Sequence, residues 1–199
     1  MKKMLLFFII GANLGFSMTP DAALEKLKTG NRRFVDNRTI HSSHEKRRLS
    51  TKKGQSPFAV ILGCADSRVA PEIIFDQGIG DLFVVRVAGN VVDPVVLESI
   101  DFAVAALESV VIVVLGHANC GAVDATFTGN DRLIPEIAQR IEPAIQHAEN
   151  LEDAIKMNAQ YVAQELERRQ LLKERIRSGK LEVVGGYYDF RTGKVQFLK

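Results

Sequence analysis

The chain has 199 residues, 46% of them apolar and 25% charged, with a formal net charge of +2. That is enough chain for one sizeable core and an ordinary globular balance, which excludes intrinsic disorder and a low-complexity protein. So small a charge leaves no electrostatic footprint for nucleic acid, and the one basic run, His44 to Arg48 with Lys52 and Lys53, lacks the interleaved aromatics that would stack on bases.

Lys2 and Lys3 precede an apolar stretch from Met4 to Ile10 that continues through Leu14 and Phe16. Gly15 and Ser17 then supply the small-x-small pattern of a signal-peptidase site, so residues 1–17 read as a signal peptide and the mature protein as periplasmic or secreted. A cytoplasmic protein whose N-terminal helix packs on the domain is the alternative. With no Arg-Arg pair among residues 1–17 the route would be Sec, and the stretch is too short for a mature chain to remain inserted in a bilayer. Residues 18–199 read as a single domain.

Thr19-Pro20 is a cap followed by proline at a first helical position, and Leu24, Leu27, Phe34 and Val35 recur near helical spacing. A helical arm is expected from Pro20 into the 30s, interrupted at Gly30-Asn31, and then an irregular or weakly helical stretch from about 37 to 56. Three apolar runs of strand length follow: Phe58 to Gly63, Leu82 to Val87 and Val110 to Leu115. Because they do not alternate, they predict strands covered on both faces, as in a parallel sheet. Between the last two lies a helix capped by Asp93, with Leu97, Ile100, Val104 and Leu107 on one stripe, completing a βαβ unit. From Gly121 to Gly179 the pattern is helical, divided by Pro135 and Pro143, with one long polar helix from about Leu151 to Arg177. Leu181 to Phe190 returns to strand, and Thr192-Gly193 turns the chain into an antiparallel edge strand, Lys194 to Leu198. The expected fold is α/β, a mostly parallel sheet with an antiparallel C-terminal edge strand, flanked by helices.

The first and third runs each end in glycine followed at once by metal-ligand chemistry. Gly63-Cys64-Ala65-Asp66-Ser67-Arg68 follows one, and Gly116-His117-Ala118-Asn119-Cys120-Gly121 the other. Carboxyl ends of parallel strands share one edge, so these distant segments can converge. Two thiolates and an imidazole suit zinc, with a fourth position left for water or substrate. The competing readings are a buried apolar cysteine beside a chance His-x-x-Cys, and a disulfide between Cys64 and Cys120, the chain's two cysteines.

Cys64-Ala65-Asp66-Ser67-Arg68 together with Gly116-His117-x-x-Cys120-Gly121 resembles the paired signature of the β-class carbonic anhydrases. The likeness extends to Gln55-Ser56-Pro57, to Asp81 through Arg86 with Ala88-Gly89-Asn90, and to Ser99 through Val104. It implies reversible hydration of carbon dioxide to bicarbonate and a proton, by attack of a hydroxide on one zinc ion per chain. It also implies zinc on Cys64, His117 and Cys120, and a catalytic Asp66–Arg68 dyad in which the arginine keeps the carboxylate off the metal. Gln55, Phe83, Phe102 and Gly121 take the substrate-binding positions, Phe102 standing where other members often carry Tyr. The resemblance further implies a homodimer, or a dimer of dimers, with active sites near the subunit boundary. His41, His44 and His147 read as surface histidines. Carbon disulfide hydrolysis on the same scaffold, and a structural zinc protein, are the remaining alternatives; the second expects a closed site with a fourth Cys or His, which the motifs lack.

Overall fold

The computed structural model describes residues 18–41 and 44–198. The three apolar runs become β1 (Ala59–Gly63), β2 (Leu82–Arg86) and β3 (Val111–His117), joined by β4 (Glu182–Tyr188) and β5 (Val195–Leu198) in the order β2-β1-β3-β4-β5. All pairings are parallel except β4 with β5. β1 and β3 are buried along their whole length, as unbroken apolar runs require when helices cover both faces. β2 is one edge strand and β5 the other, and the four apolar residues of β2 are only half-buried.

Thr19 caps α1 (Pro20–Val35), its Oγ1 accepting from the amide of Ala22 at 3.2 Å. The expected interruption at Gly30-Asn31 does not occur. These residues dock the helix instead: a Cβ on Gly30 would stand 1.8 Å from the Phe75 carbonyl oxygen. Asn31 is buried, donates to the carbonyls of Ile74 and Gly193, and accepts from the amide of Val195. Within the stretch expected to be irregular or weakly helical, His44–Thr51 forms a regular two-turn helix, α2, with no buried residue.

A single turn, α3 (Pro71–Ile74), leads toward β2, and α4 (Pro94–Ala105) is capped by Asp93, which accepts from the amide of Val96 at 2.8 Å. After β3 come α5 (Gly121–Phe127), α6 (Pro135–Ile145), α7 (Leu151–Arg168) and α8 (Gln170–Arg177). Pro143 lies inside α6 rather than dividing helices, at the cost of the amide that would bond back to the carbonyl of Gln139. The single long helix expected from Leu151 to Arg177 is two helices. Arg169 breaks it with extended backbone (φ −65°, ψ 133°) and turns its guanidinium onto Asp101 of α4. No helix among the described residues is long and apolar enough to cross a membrane. The expected signal peptide, residues 1–17, lies outside the described residues.

Candidate active site

The parallel register brings the two motifs to the carboxyl edge of the sheet. Gly63 pairs with Leu115, so Cys64 leaves β1 at the level of Gly116 while His117 is the last residue of β3. Asn119, in the left-handed region (φ 53°), folds the next residues back and sets Cys120 at the N-cap of α5. The Sγ atoms of Cys64 and Cys120 are 4.0 Å apart, and with a His117 ring nitrogen all three ligand atoms lie within 4.8 Å of one another. All three residues are buried.

The donor set fits zinc. A tetrahedral ion with Zn–S bonds of about 2.3 Å separates two sulfurs by about 3.8 Å, close to the spacing seen here, whereas a disulfide needs about 2.05 Å. His117 Nδ1 lies 3.0 Å from the Ala118 carbonyl oxygen, to which it can only donate, leaving Nε2 with its lone pair. That Nε2 is buried without a hydrogen-bond partner. An orphaned acceptor facing two sulfurs calls for a cation, because burying it unpaired costs free energy.

Backbone amides surround the sulfurs. The amides of Asp66 and Gly89 point at Cys64, and those of Val123 and Ala122 at Cys120. The hydrogen bond from Cys120 lowers the Cys64 thiol to about 4 against the opposing effect of burial. The same contact, with burial, pushes Cys120 up. One negative charge is thus already favoured at the pair.

Asp66 stands beside the cluster, its Oδ2 3.9 Å from His117 Nε2. Arg68 grips it as a fork: Nε donates to Oδ1 at 2.9 Å, a terminal nitrogen to Oδ2 at 2.7 Å, and the Arg68 backbone amide to Oδ1 at 2.9 Å. The side-chain hydrogen bond from Arg68 holds the Asp66 carboxyl well below the usual carboxylate range.

Reasoning from sequence missed several supports. Arg86, at the end of β2, donates to the carbonyls of Cys64 (3.0 Å) and Asp66 (2.5 Å), pinning the loop that carries both. Buried Asn158 of α7 donates to the carbonyl of Gly89, steadying the turn whose amide faces Cys64. Phe190, just past β4, packs against both His117 and Arg68. The available signals were a lone arginine closing an apolar strand and a lone asparagine on an apolar helix face; Phe190 gave none.

A family model for carbonic anhydrase matches residues 59–195. The chain belongs to the β-class carbonic anhydrases. It is 43% identical to carbonic anhydrase 2 of Mycobacterium tuberculosis, over 88% of this chain and 91% of the relative. It is 40% identical to a carbonic anhydrase of Mycolicibacterium smegmatis, over 89% and 92% respectively. The Coccomyxa β-carbonic anhydrase solved with acetazolamide superposes with a TM-score of 0.69 at 25% identity, covering 88% of this chain and 86% of that one. The enzyme therefore interconverts carbon dioxide and bicarbonate.

The remaining expected site residues of this carbonic anhydrase fall in two places. Gly121 opens α5 beside Cys120, and a Cβ there would meet nothing within 4 Å. Gln55 is exposed and precedes β1, at the sheet's amino edge, opposite the cluster. Phe83 pairs with Val60, which puts it about 13 Å of strand below Cys64. Its ring is 6.5 Å from that of Phe102, which is 52% exposed on α4. One chain thus brings together Cys64, His117, Cys120, Asp66, Arg68 and Gly121, and holds Gln55 and the Phe83–Phe102 pair apart from them.

Proposed function

We propose that the reaction runs at a zinc ion held by Cys64, His117 and Cys120, with Asp66 and Arg68 beside it and the carbon dioxide pocket completed by a second copy of the chain. The observation that carries the reading is His117 Nε2, buried, unpartnered and facing two sulfurs. When bound, zinc supplies a Lewis acid that lowers the pKa of water toward neutral, less strongly than in a three-histidine site because two thiolates offset its charge.

The chain's own groups do the rest. Ala118 fixes the His117 tautomer, and the amides around Cys64 and Cys120 stabilise thiolate charge. Asp66, held ionised by Arg68, accepts a hydrogen bond from the reacting water, orients it, and gives its proton a way out toward buffer. Gly121 leaves open space beside Cys120.

The separation of Gln55, Phe83 and Phe102 from the cluster supports a two-fold dimer in which one copy's half-exposed β2 edge and α4 wall off its neighbour's site. Gln55 then hydrogen-bonds substrate and the two phenylalanines receive apolar carbon dioxide. Residues 1–17 direct Sec export in the same proposal, on the strength of the Lys2-Lys3 start, the apolar run and the Gly15-x-Ser17 pair.

Metal analysis tests the centre. Purified protein is expected to hold about one zinc per chain, and Cys64→Ser, His117→Ala and Cys120→Ser each to lose most of it. Full zinc occupancy in the His117→Ala variant would overturn the assignment.

A further inference from the structure

Phe190 is absent from every motif considered above, yet it joins the metal cluster to the dyad. It follows β4 at the carboxyl edge of the sheet. Its ring centroid lies 5.4 Å from that of His117, at 42°, and 4.4 Å from the Arg68 guanidinium carbon. Buried Tyr188 meets it edge-on at 5.3 Å.

The backbone beneath Phe190 is fixed. The Asp189 amide donates to the Lys194 carbonyl and the Gly193 amide to the Asp189 carbonyl, closing the β4–β5 hairpin. The Asp189 carboxylate accepts from the Arg191 amide and the Thr192 hydroxyl. Gly193 turns the chain at φ 70°, where a side chain would be strained.

Arg68 needs such a neighbour. Its side chain is 53% exposed, and besides Asp66 its one hydrogen-bond contact among the described residues is the Asn119 carbonyl, at a long 3.5 Å. A flexible, exposed arginine gains little from a single ion pair and loses rotamer freedom in making it. An aromatic face removes that freedom in advance and attracts the cation.

We propose that Phe190 is a positioning residue: stacked on Arg68, it keeps the guanidinium fork on Asp66, and so keeps the carboxylate turned away from the three ligand atoms. The inference rests on the dyad reading and adds a residue to it. The test is a double-mutant cycle with Phe190→Leu and Arg68→Ala, read as kcat/KM per bound zinc. Phe190→Leu alone should lose roughly threefold to tenfold, while Phe190→Trp, which keeps a face for the cation, should stay within about twofold of wild type. In the Arg68→Ala background, Phe190→Leu should change kcat/KM by less than about twofold, because its partner is gone. An additive loss there would overturn the inference, showing that Phe190 acts through His117 or the fold; so would wild-type activity in Phe190→Leu while Arg68→Ala is impaired. Wild-type turnover in Arg68→Ala would overturn the dyad reading and this inference with it.

A second readout does not depend on activity or on variants that fold. In NMR of the metal-free and zinc-loaded wild type, ring-current shielding should move the Arg68 side-chain signals upfield. Unshifted Arg68 signals in both forms would overturn the proposal.

Discussion

Arg68 is more than half exposed, and solvent screens an exposed ion pair so that it adds little to stability. The worth of its two bonds to Asp66 is therefore positional. Asp66→Asn and Arg68→Ala are each expected to lower turnover by about tenfold or more with zinc retained and unfolding midpoints little changed, because neither side chain is a ligand. Parallel measurement of zinc content, thermal unfolding and stopped-flow rate checks this; wild-type rates in either variant would remove the dyad. The sign of the pH dependence follows from the same contact. Arg68 lowers the Asp66 pKa in the fold, so the pair's stabilisation is complete above the ordinary carboxylate value of about 3.9 and is lost as pH falls through the lower folded value. Asp66 is then ionised throughout the neutral and alkaline range. Turnover rising from weakly acidic to alkaline pH belongs to the acidified water, and a flat profile would contradict a two-thiolate zinc site.

Among the elements, α1 shows how differently a residue reads alone and in its packing. Gly30-Asn31 looks like a helix break by local preference, since glycine weakens helices and asparagine favours turns. In the fold the missing Cβ admits the Phe75 carbonyl, and the asparagine satisfies three backbone groups from two other segments. Gly30→Ala should destabilise the protein by about 2 kcal/mol or more, because an atom 1.8 Å from a backbone oxygen forces α1 off the domain. An unchanged urea midpoint would show that the contact is not tight. Arg169 teaches the same lesson, since its break in the helix appears where its side chain meets Asp101, 68 residues away in sequence. The strands and the convergence of Cys64, His117 and Cys120 were legible because each depends on a local pattern, an apolar run closed by glycine and then by Cys or His. Arg86, Asn158 and Phe190 were not, because their roles depend on which loop a distant strand or helix delivers to them. For the dyad the family signature was needed; spacing alone does not say that Arg68 folds back on Asp66.

Across the whole molecule, the Cys64–His117–Cys120 cluster and the Asp66–Arg68 pair lie at one sheet edge while Gln55 and Phe83 lie toward the other, and the proposed dimer would tie assembly to chemistry. A Phe102→Glu change, placing charge on the exposed apolar face of α4, is expected to shift the protein toward monomer and lower activity per zinc in proportion. Sedimentation with rates at the same concentration tests this, and a fully active monomer would contradict a shared site. Export, if residues 1–17 direct it, exposes Cys64 and Cys120 to an oxidising compartment before zinc occupies them. Mass spectrometry of the exported protein should find an N-terminus at Met18 and no disulfide in zinc-loaded chains; soluble cytosolic protein beginning at Met1 would contradict export.

In the proposed reaction one metal ion per chain carries the chemistry. Titrating zinc into metal-free protein while following carbon dioxide hydration by stopped flow tests this most directly. The rate should start near the uncatalysed background, climb in proportion to zinc, and stop rising at one equivalent per chain, with His117→Ala staying near background throughout. Full turnover in the metal-free protein, or in His117→Ala at one equivalent, would contradict it.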